Sequence, residues 1–506
     1  MGLFEPKWEE VPPHPRKEPR VEGPLTLERL AQVFEGCADY KTRPVLLGEN
    51  GRRQATLCYL AGMVYLERVS DYVLRPLAQD KRLARCVTME EVAQLLLCGA
   101  AYNLGVQERT TLDQAVFDLI DGCCLLVLPE QESVLSFSVP SEERRAVSQP
   151  ENEPAIKGAR DSFVEGLRTN TALIRRRLRT PSLKIEEHLV GRQSVTPVDV
   201  IWIDGIANPN TVKLVSERIA AIDIAALLSS SNLEEYITGD LSTGFPMLTH
   251  TERPDRFCVG LAEGRVGIVA EGLAMGYLLP ATIQQFFKAC QDKTNNWMVA
   301  SALIMLRYLA LLLSVFLPAV YIAAVTFHPE MIPNQMALSI ITAKIDVPFT
   351  TVAEVLIILG AFEALQEASV LLPPSIGQSI SILGGLVVGT AAVEAKIVSP
   401  TVLIVVAVAG ISGYTIPNQD MAGAMRLWRF FLALTASAGG LVGIVSGVIV
   451  LVYRLARIES FGVAYLTPFA GNDGELVEEH ALVRRPLPKA KLREKALRTR
   501  NKRNQK

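Results

Sequence analysis

The chain is expected to fold as an α/β cytoplasmic region of two duplicated lobes, followed by an all-α polytopic membrane domain. Three observations carry that expectation. At 506 residues the chain exceeds one ordinary domain. Hydrophobic residues make up 49% of it but are unevenly spread. Residues 1–300 read as a soluble protein, whereas 300–455 is a block of long apolar runs broken by few charges. Within the soluble half, a single pattern of strand, glycine and helix recurs. Gly122 follows Gly62 by 60 residues and Gly264 follows Gly205 by 59, the interval of a degenerate duplication.

Residues 1–24 begin MGLFEPKWEEVPPHPRKEPR, charged and proline-rich with no apolar core. They are read as a disordered arm, not a secretory signal, so the amino-terminal half is expected in the cytoplasm. All eight cysteines precede the apolar block, the last at Cys290, and none has paired zinc spacing. Reduced core thiols in a reducing compartment follow. The net charge of −2 hides a basic cytoplasmic tail at 459–506, which from Arg484 onward carries eleven Lys and Arg against one Glu.

The first lobe is placed at 25–139. Residues 56–64 (TLCYLAGMV) have strand composition, 71–77 and 88–97 read as helices, and 111–118 as a short helix. After Asp121-Gly122, the runs 123–128 and 134–139 are suited to a hairpin. Residues 140–159, polar and proline-bearing, read as a linker. The second unit, 160–296, opens on a helix, DSFVEGLRTNTALIRRRL. There Phe163, Leu167, Ile174 and Leu178 fall at helical spacing, and Arg168, Arg175, Arg176 and Arg179 cover other faces. This basic helix is a candidate for contact with membrane lipid or an acidic neighbour. No aromatic residues interleave with the arginines, so nucleic acid is not expected. Residues 200–205 (VIWIDG), a helix at 209–222 and a strand at 265–270 repeat the first lobe.

Catalytic signatures are missing from the sequence. It has no phosphate-binding GxxxxGK[ST] loop, no GxGxxG after a strand and no GxSxG elbow. His14, His188, His250, His328 and His480 are scattered, and 249–255 (THTERPD) reads as a turn with a helix cap. No enzyme activity, cofactor or metal site is expected.

The membrane domain is placed at 297–458. Residues 300–326 exceed the roughly 20 needed to span a bilayer core. Arg307 near the start is placed to snorkel, and Pro318 to kink the helix. The loop 327–348 contains three prolines and is read as folded at a membrane surface. Segment 350–374 follows, then apolar spans at 376–393, 400–416 and 428–452. Cytoplasmic ends require an even number of crossings. Five candidates leave one over, so four crossings plus a re-entrant or interfacial element are expected. Segment 350–374 is the natural odd one out, although a hidden sixth crossing also restores parity.

That segment carries Glu354, Glu363 and Glu367. A carboxylate at bilayer depth is costly unless it faces protein or water, which makes each a functional candidate. Glu363 and Glu367 share a helical face with Gln366 beside them, while Glu354, nine residues before Glu363, points away. All four are candidate ion-path residues, because carboxylate rings in an oligomer favour cations. Gly439, Gly443 and Gly447 form overlapping GxxxG steps, and Gly360, Ala364 and Ala368 repeat the spacing, as candidate helix-packing faces.

At these residues the chain resembles the A subunit of the GerA family of spore germination receptors. The matching stretches are DSFVEGLRTNTALIRRRL, WIDGIANP, TERPDR with LAEGRVGI, LPAVYIAAVTFHPEMIP, IGQSISILGGLVVGTAAVEAKIVSP, GYTIPN and ESFGVAYLTP. The resemblance implies a two-lobed cytoplasmic region on a multi-pass domain in the inner membrane of an endospore. It further implies a homo-oligomeric ring with an ion path for monovalent cations, acting with a transporter-like B subunit and a lipoprotein C subunit. The chain departs from the family where it has Leu359 (often Glu) and Gln366 (often Arg). Two other roles stand beside that of receptor subunit. One is an ion-release amplifier downstream of nutrient sensing, as implied by resemblance to stage V sporulation protein AF. The other is a non-conducting germination scaffold.

Overall fold

The computed structural model describes residues 21–504, apart from 49–52, 101–104, 130, 142–149, 151–152, 154–156, 240–242, 372–388, 471–481, 485, 487 and 489–490. Most of the expected arm and linker, and most of the apolar span 376–393, therefore lie outside the described residues.

Two five-stranded antiparallel sheets form the framework of the amino-terminal half. The first contains β1 (Tyr40–Leu47), β2 (Arg53–Leu60), β3 (Val106–Arg109), β4 (Cys123–Val127) and β5 (Val134–Ser138), in the order β1-β2-β4-β5-β3. The second contains β6 (Leu183–Val190), β7 (Thr196–Ile203), β8 (Thr249–Thr251), β9 (Val266–Ala270) and β10 (Gly276–Leu279), in the order β6-β7-β9-β10-β8. The strand order is the same in both. Gly62, Gly122, Gly205 and Gly264 all adopt positive φ, between 78° and 102°. That conformation suits glycine, which is why the repeat can be traced through these residues. At Gly62 the approach is also close, since a Cβ there would stand 2.5 Å from the Arg168 carbonyl oxygen.

The strands that the sequence did not announce lie mostly at sheet edges. β1 carries Pro44 and is largely exposed, β3 has four residues, and β6 alternates buried and wet positions with a polar outer face. Edge strands tolerate proline and charge, so their composition resembles that of loops. β8 falls within the expected turn at 249–255, and the helix Pro254–Glu263 starts directly after it.

Both sheets are covered on two faces. One side of the first packs on Val69, Val73, Leu77 and Val92, and the other on Leu30, Val116, Leu119 and Ala172. In the second the corresponding layers are Val215, Ile219, Leu233 and Ile237, then Phe163, Ile174, Phe257 and Leu261.

The helix Leu167–Arg177 serves both cores, with Ala172 in one and Ile174 in the other. Of the two contacts expected for this basic helix, membrane lipid or an acidic neighbour, the described ion pairs are with carboxylates of this chain. Arg175 is 0% exposed and donates from Nη2 to Asp39 Oδ1 of the first lobe at 2.8 Å. Arg168 pairs with Glu187 and, at 3.1 Å, with Asp199. Arg176 donates to the Ser141 carbonyl, and Arg179 lies 3.0 Å from Asp121. Arginines at helical spacing look alike on paper whether they meet water or carboxylates from another lobe.

The second lobe sits on the helical region through a shared core of Phe245, Met247, Phe286 and Phe287 with Met425, Leu432 and Tyr465. The first long helix, Trp297–Thr326, begins there. Arg307 does not snorkel: it donates to Asp292 Oδ1 at 3.0 Å and to the Phe287 carbonyl at 3.1 Å. After the helix Asn334–Lys344 come the glutamate helix Thr351–Leu371 and the helix Pro400–Gly413. Among the described residues, Trp297–Thr326 and, counted end to end, Gln419–Arg457 are long and apolar enough, by length and composition, to cross a membrane.

Gln419–Arg457 is not one rod. Gly439 (φ −143°, ψ 16°) and Gly440 (φ 58°, ψ −133°) break its helical geometry. A Cβ on Gly443 would stand 1.9 Å from the Thr435 carbonyl oxygen, and one on Gly447 would stand 2.5 Å from Leu432 Cδ2. In a straight helix residues 15 apart are separated by about 22 Å along the axis. The chain therefore doubles back as a hairpin with arms 419–438 and 441–457, correcting the expectation of a single span at 428–452. Both outer ends return to the second lobe: Asp420 lies 3.3 Å from His250, and Ser460 bridges the Met247 carbonyl and the Ala281 amide.

The described residues of the basic tail are docked. Glu494 accepts from Arg265 at 2.9 Å and from Gln284 at 2.6 Å, and both partners are 1% exposed. Arg484 donates to the backbone carbonyls of Asp292, Lys293 and Asn295, at the foot of the first long helix.

Candidate functional site

The glutamate helix is apolar because its neighbours are apolar. Val355, Ile358 and Leu359 bury into the core shared with Ile322, Val402 and Val406. Its three carboxylates divide into different environments along its length.

Glu354 is 0% exposed. Its Oε2 accepts from the Ser399 amide at 2.9 Å, and Lys344 Nζ lies 3.1 Å from Oε1. Ser399 is the N-cap of the helix Pro400–Gly413, so the carboxylate meets the positive end of that helix dipole. Tyr321 and Thr401 share a hydrogen bond of 2.9 Å beside it. Glu354 thus ties three elements together and is separated from the other two carboxylates.

Glu363 meets cations from the first arm of the hairpin. Arg426 Nη1 lies 3.1 Å from its Oε2 and Arg429 Nη1 lies 3.8 Å from its Oε1. Arg429 is itself 4% exposed and donates to Ser314 Oγ on the first long helix and to the Ala409 carbonyl at 3.4 Å. Gly413 leaves room for it, since a Cβ there would stand 2.9 Å from Nη2. Four helical elements therefore converge on one charge cluster.

Glu367, one turn further on, is exposed and has no partner among the described residues, and Gln366 is half-buried beside it. Gly360 and Ala364 are exposed on the same helix, with open space around Gly360. Gly443 and Gly447 instead face the chain's own preceding arm, and Gly439 lies in the turn. Sequence reasoning did not assign Lys344, Ser314, Ser399, Arg426 or Arg429 to this region. Isolated cations in apolar segments were the available signal, as each calls for a carboxylate at the same depth.

Among the described residues no group of three His, Cys, Asp or Glu is placed to hold a metal ion. The eight cysteines are free thiols, and burial raises the pKa of several, including Cys58 and Cys124.

Comparison with known proteins places these features in a family. The model of the Bacillus/Clostridium GerA spore germination protein matches residues 28–496. "Spore germination protein KA" of Bacillus subtilis (strain 168) is 33% identical over 93% of this chain and 86% of its own length. "Spore germination protein B1" of the same organism is 32% identical over 84% of this chain and 87% of its own. "Uncharacterized membrane protein YfkQ", also of Bacillus subtilis (strain 168), is 36% identical over 87% and 85%. Among solved structures, the N-terminal domain of the A subunit of the Bacillus megaterium spore germinant receptor GerK3 matches at 28% identity and a TM-score of 0.41. It covers 51% of this chain and 94% of that one. The chain belongs to the GerA family of spore germination proteins.

Proposed function

We propose that this chain is the A subunit of a spore germinant receptor. Its helical region spans the inner membrane of the spore and forms or gates a path for monovalent cations released during germination. The observation that carries the reading is Glu367, an exposed carboxylate without a partner among the described residues, on an apolar helix and one turn from Glu363. In a bilayer such a group must face water or protein. A homo-oligomer that brings several copies of this face to one axis would line it with carboxylates and favour cations.

The hairpin supports a multi-pass arrangement. Counting its arms separately raises the apolar segments from five to six, and both of its ends meet the same lobe. An even number keeps the soluble lobes and the basic tail on one side, which by charge is the cytoplasm. The exposed apolar residues Leu306, Leu309, Leu313, Val442 and Ile449 are the surface offered to lipid. The two lobes, with one strand order and four matched left-handed glycines, are read as an internal duplication. The transporter-like B subunit and the lipoprotein C subunit are the proposed partners, by family resemblance.

The test is potassium release from spores carrying the double variant E363Q/E367Q in place of the native chain. Release slowed at normal protein level is the expected result. Unchanged release removes this face from the ion path.

A further inference from the structure

Two arginines on one helical arm address a single carboxylate, and they are held differently. Arg429 is 4% exposed and is fixed by Ser314 of the first long helix and by the Ala409 carbonyl, in room left by Gly413. It reaches Glu363 only at 3.8 Å. Arg426, three residues earlier, makes the closer contact at 3.1 Å, yet its side chain is 31% exposed. Glu363 is its only charged partner among the described residues. Glu363, 25% exposed, thus lies between two guanidinium groups, at 3.1 and 3.8 Å. Its neighbour Glu367 remains uncovered.

From this asymmetry we infer that Arg426 is the movable arm of an electrostatic gate and Arg429 is its fixed anchor. With Arg426 on Glu363, the path holds one available carboxylate per subunit. With Arg426 swung away, Glu363 loses its closer partner and keeps Arg429 at 3.8 Å, so the Glu363–Glu367 face gains one net negative charge per subunit. Arg426 is therefore a positioning residue for ion passage, not an ion ligand. Because it lies on the hairpin, whose outer ends both contact the second soluble lobe, movement of that lobe is transmitted to the pair.

This inference rests on the ion-path reading, and the experiment separates the two. Full-length wild type, R426Q, R426Q/E363Q and the charge swap E363R/R426E are placed in potassium-loaded liposomes, and efflux is followed with a potassium electrode. R426Q is expected to leak at least tenfold faster than wild type. In R426Q/E363Q the leak should fall back, because the uncovered carboxylate is gone. The charge swap, which rebuilds the pair and guards against a folding defect in R426Q, should be as tight as wild type. Measurable release that is equal in wild type and R426Q overturns the gate and leaves the ion path standing. A charge swap as leaky as R426Q also overturns the gate. No release from any of the four chains overturns both.

Discussion

Gly443 stands directly against the carbonyl of Thr435, eight residues earlier, with no room for a side chain between them. That contact exists only because the chain reverses at Gly439–Gly440. Gly443→Val places its branched side chain onto a backbone oxygen and should destabilise the helical region by roughly 3 kcal/mol or more. Gly439→Ala meets open space and an allowed φ, and should be nearly neutral. Thermal melting of the two variants in detergent checks the contrast; equal melting temperatures would refute the hairpin.

Glu354 is a structural residue, and its loss should differ in kind from the loss of Glu367. E354A takes the carboxylate from Lys344 Nζ, which is 21% exposed and keeps its hydrogen bond to Thr351, and leaves the buried Ser399 amide unsatisfied, a loss of about 1–3 kcal/mol. The expected phenotype is low protein level and a lowered melting temperature. E367Q should leave both unchanged. In K344A/E354A some of the E354A loss should be recovered, and a double-mutant cycle measures the coupling.

Asp199 gives a pH dependence in the soluble half. Burial pushes its carboxyl up to about 7, against the partial opposition of Arg168 at 3.1 Å. With the folded pKa above the unfolded one, the native state holds the extra proton between about pH 4 and pH 7. Stability therefore falls as pH rises through that window, by about 1.4 kcal/mol per pH unit from this group alone, and levels off above it. The variant D199N should lose that slope. Denaturant midpoints of wild type minus D199N, from pH 4.5 to 8, isolate the contribution; a flat difference would count against the buried carboxyl.

The docked tail closes the second lobe. Glu494 supplies the nearer carboxylate to Arg265, which is 1% exposed, so E494A leaves that guanidinium with the Pro280 carbonyl and with Glu263 at 3.7 Å. A loss of about 2–3 kcal/mol is expected, concentrated around Arg265. Hydrogen exchange of 265–270 and 280–287 should rise in E494A and in a chain ending at 490. Exchange that matches wild type would mean the tail contact carries no stability.

The soluble elements were legible where local physics dominates. β2, β4, β5, β7 and β9 are interior strands built mainly of buried apolar residues, and the matched glycines mark turns that other residues adopt only with strain. The edge strands β1 and β6 were hidden because half of each faces water and reads as loop. In the glutamate helix, spacing alone separates Glu354 from the Glu363–Glu367 face, since 3.6 residues per turn admits no other arrangement.

The amino-acid sequence by itself determined the division into an α/β half and an apolar helical half, the repeat of the lobes' turns, the apolar helix with three carboxylates and the family. Tertiary structure alone decided which charges meet. Arg175 could have faced lipid, but a carboxylate from the other lobe, 136 positions earlier, encloses it. Gly443 and Gly447 could have served any helix, but the Gly439–Gly440 reversal turned them onto their own chain. Glu363 could have been free, but Arg426, 63 positions later, covers it. Hydropathy and helical periodicity act over a few turns, whereas pairing at depth is set by the packing of segments far apart in the chain.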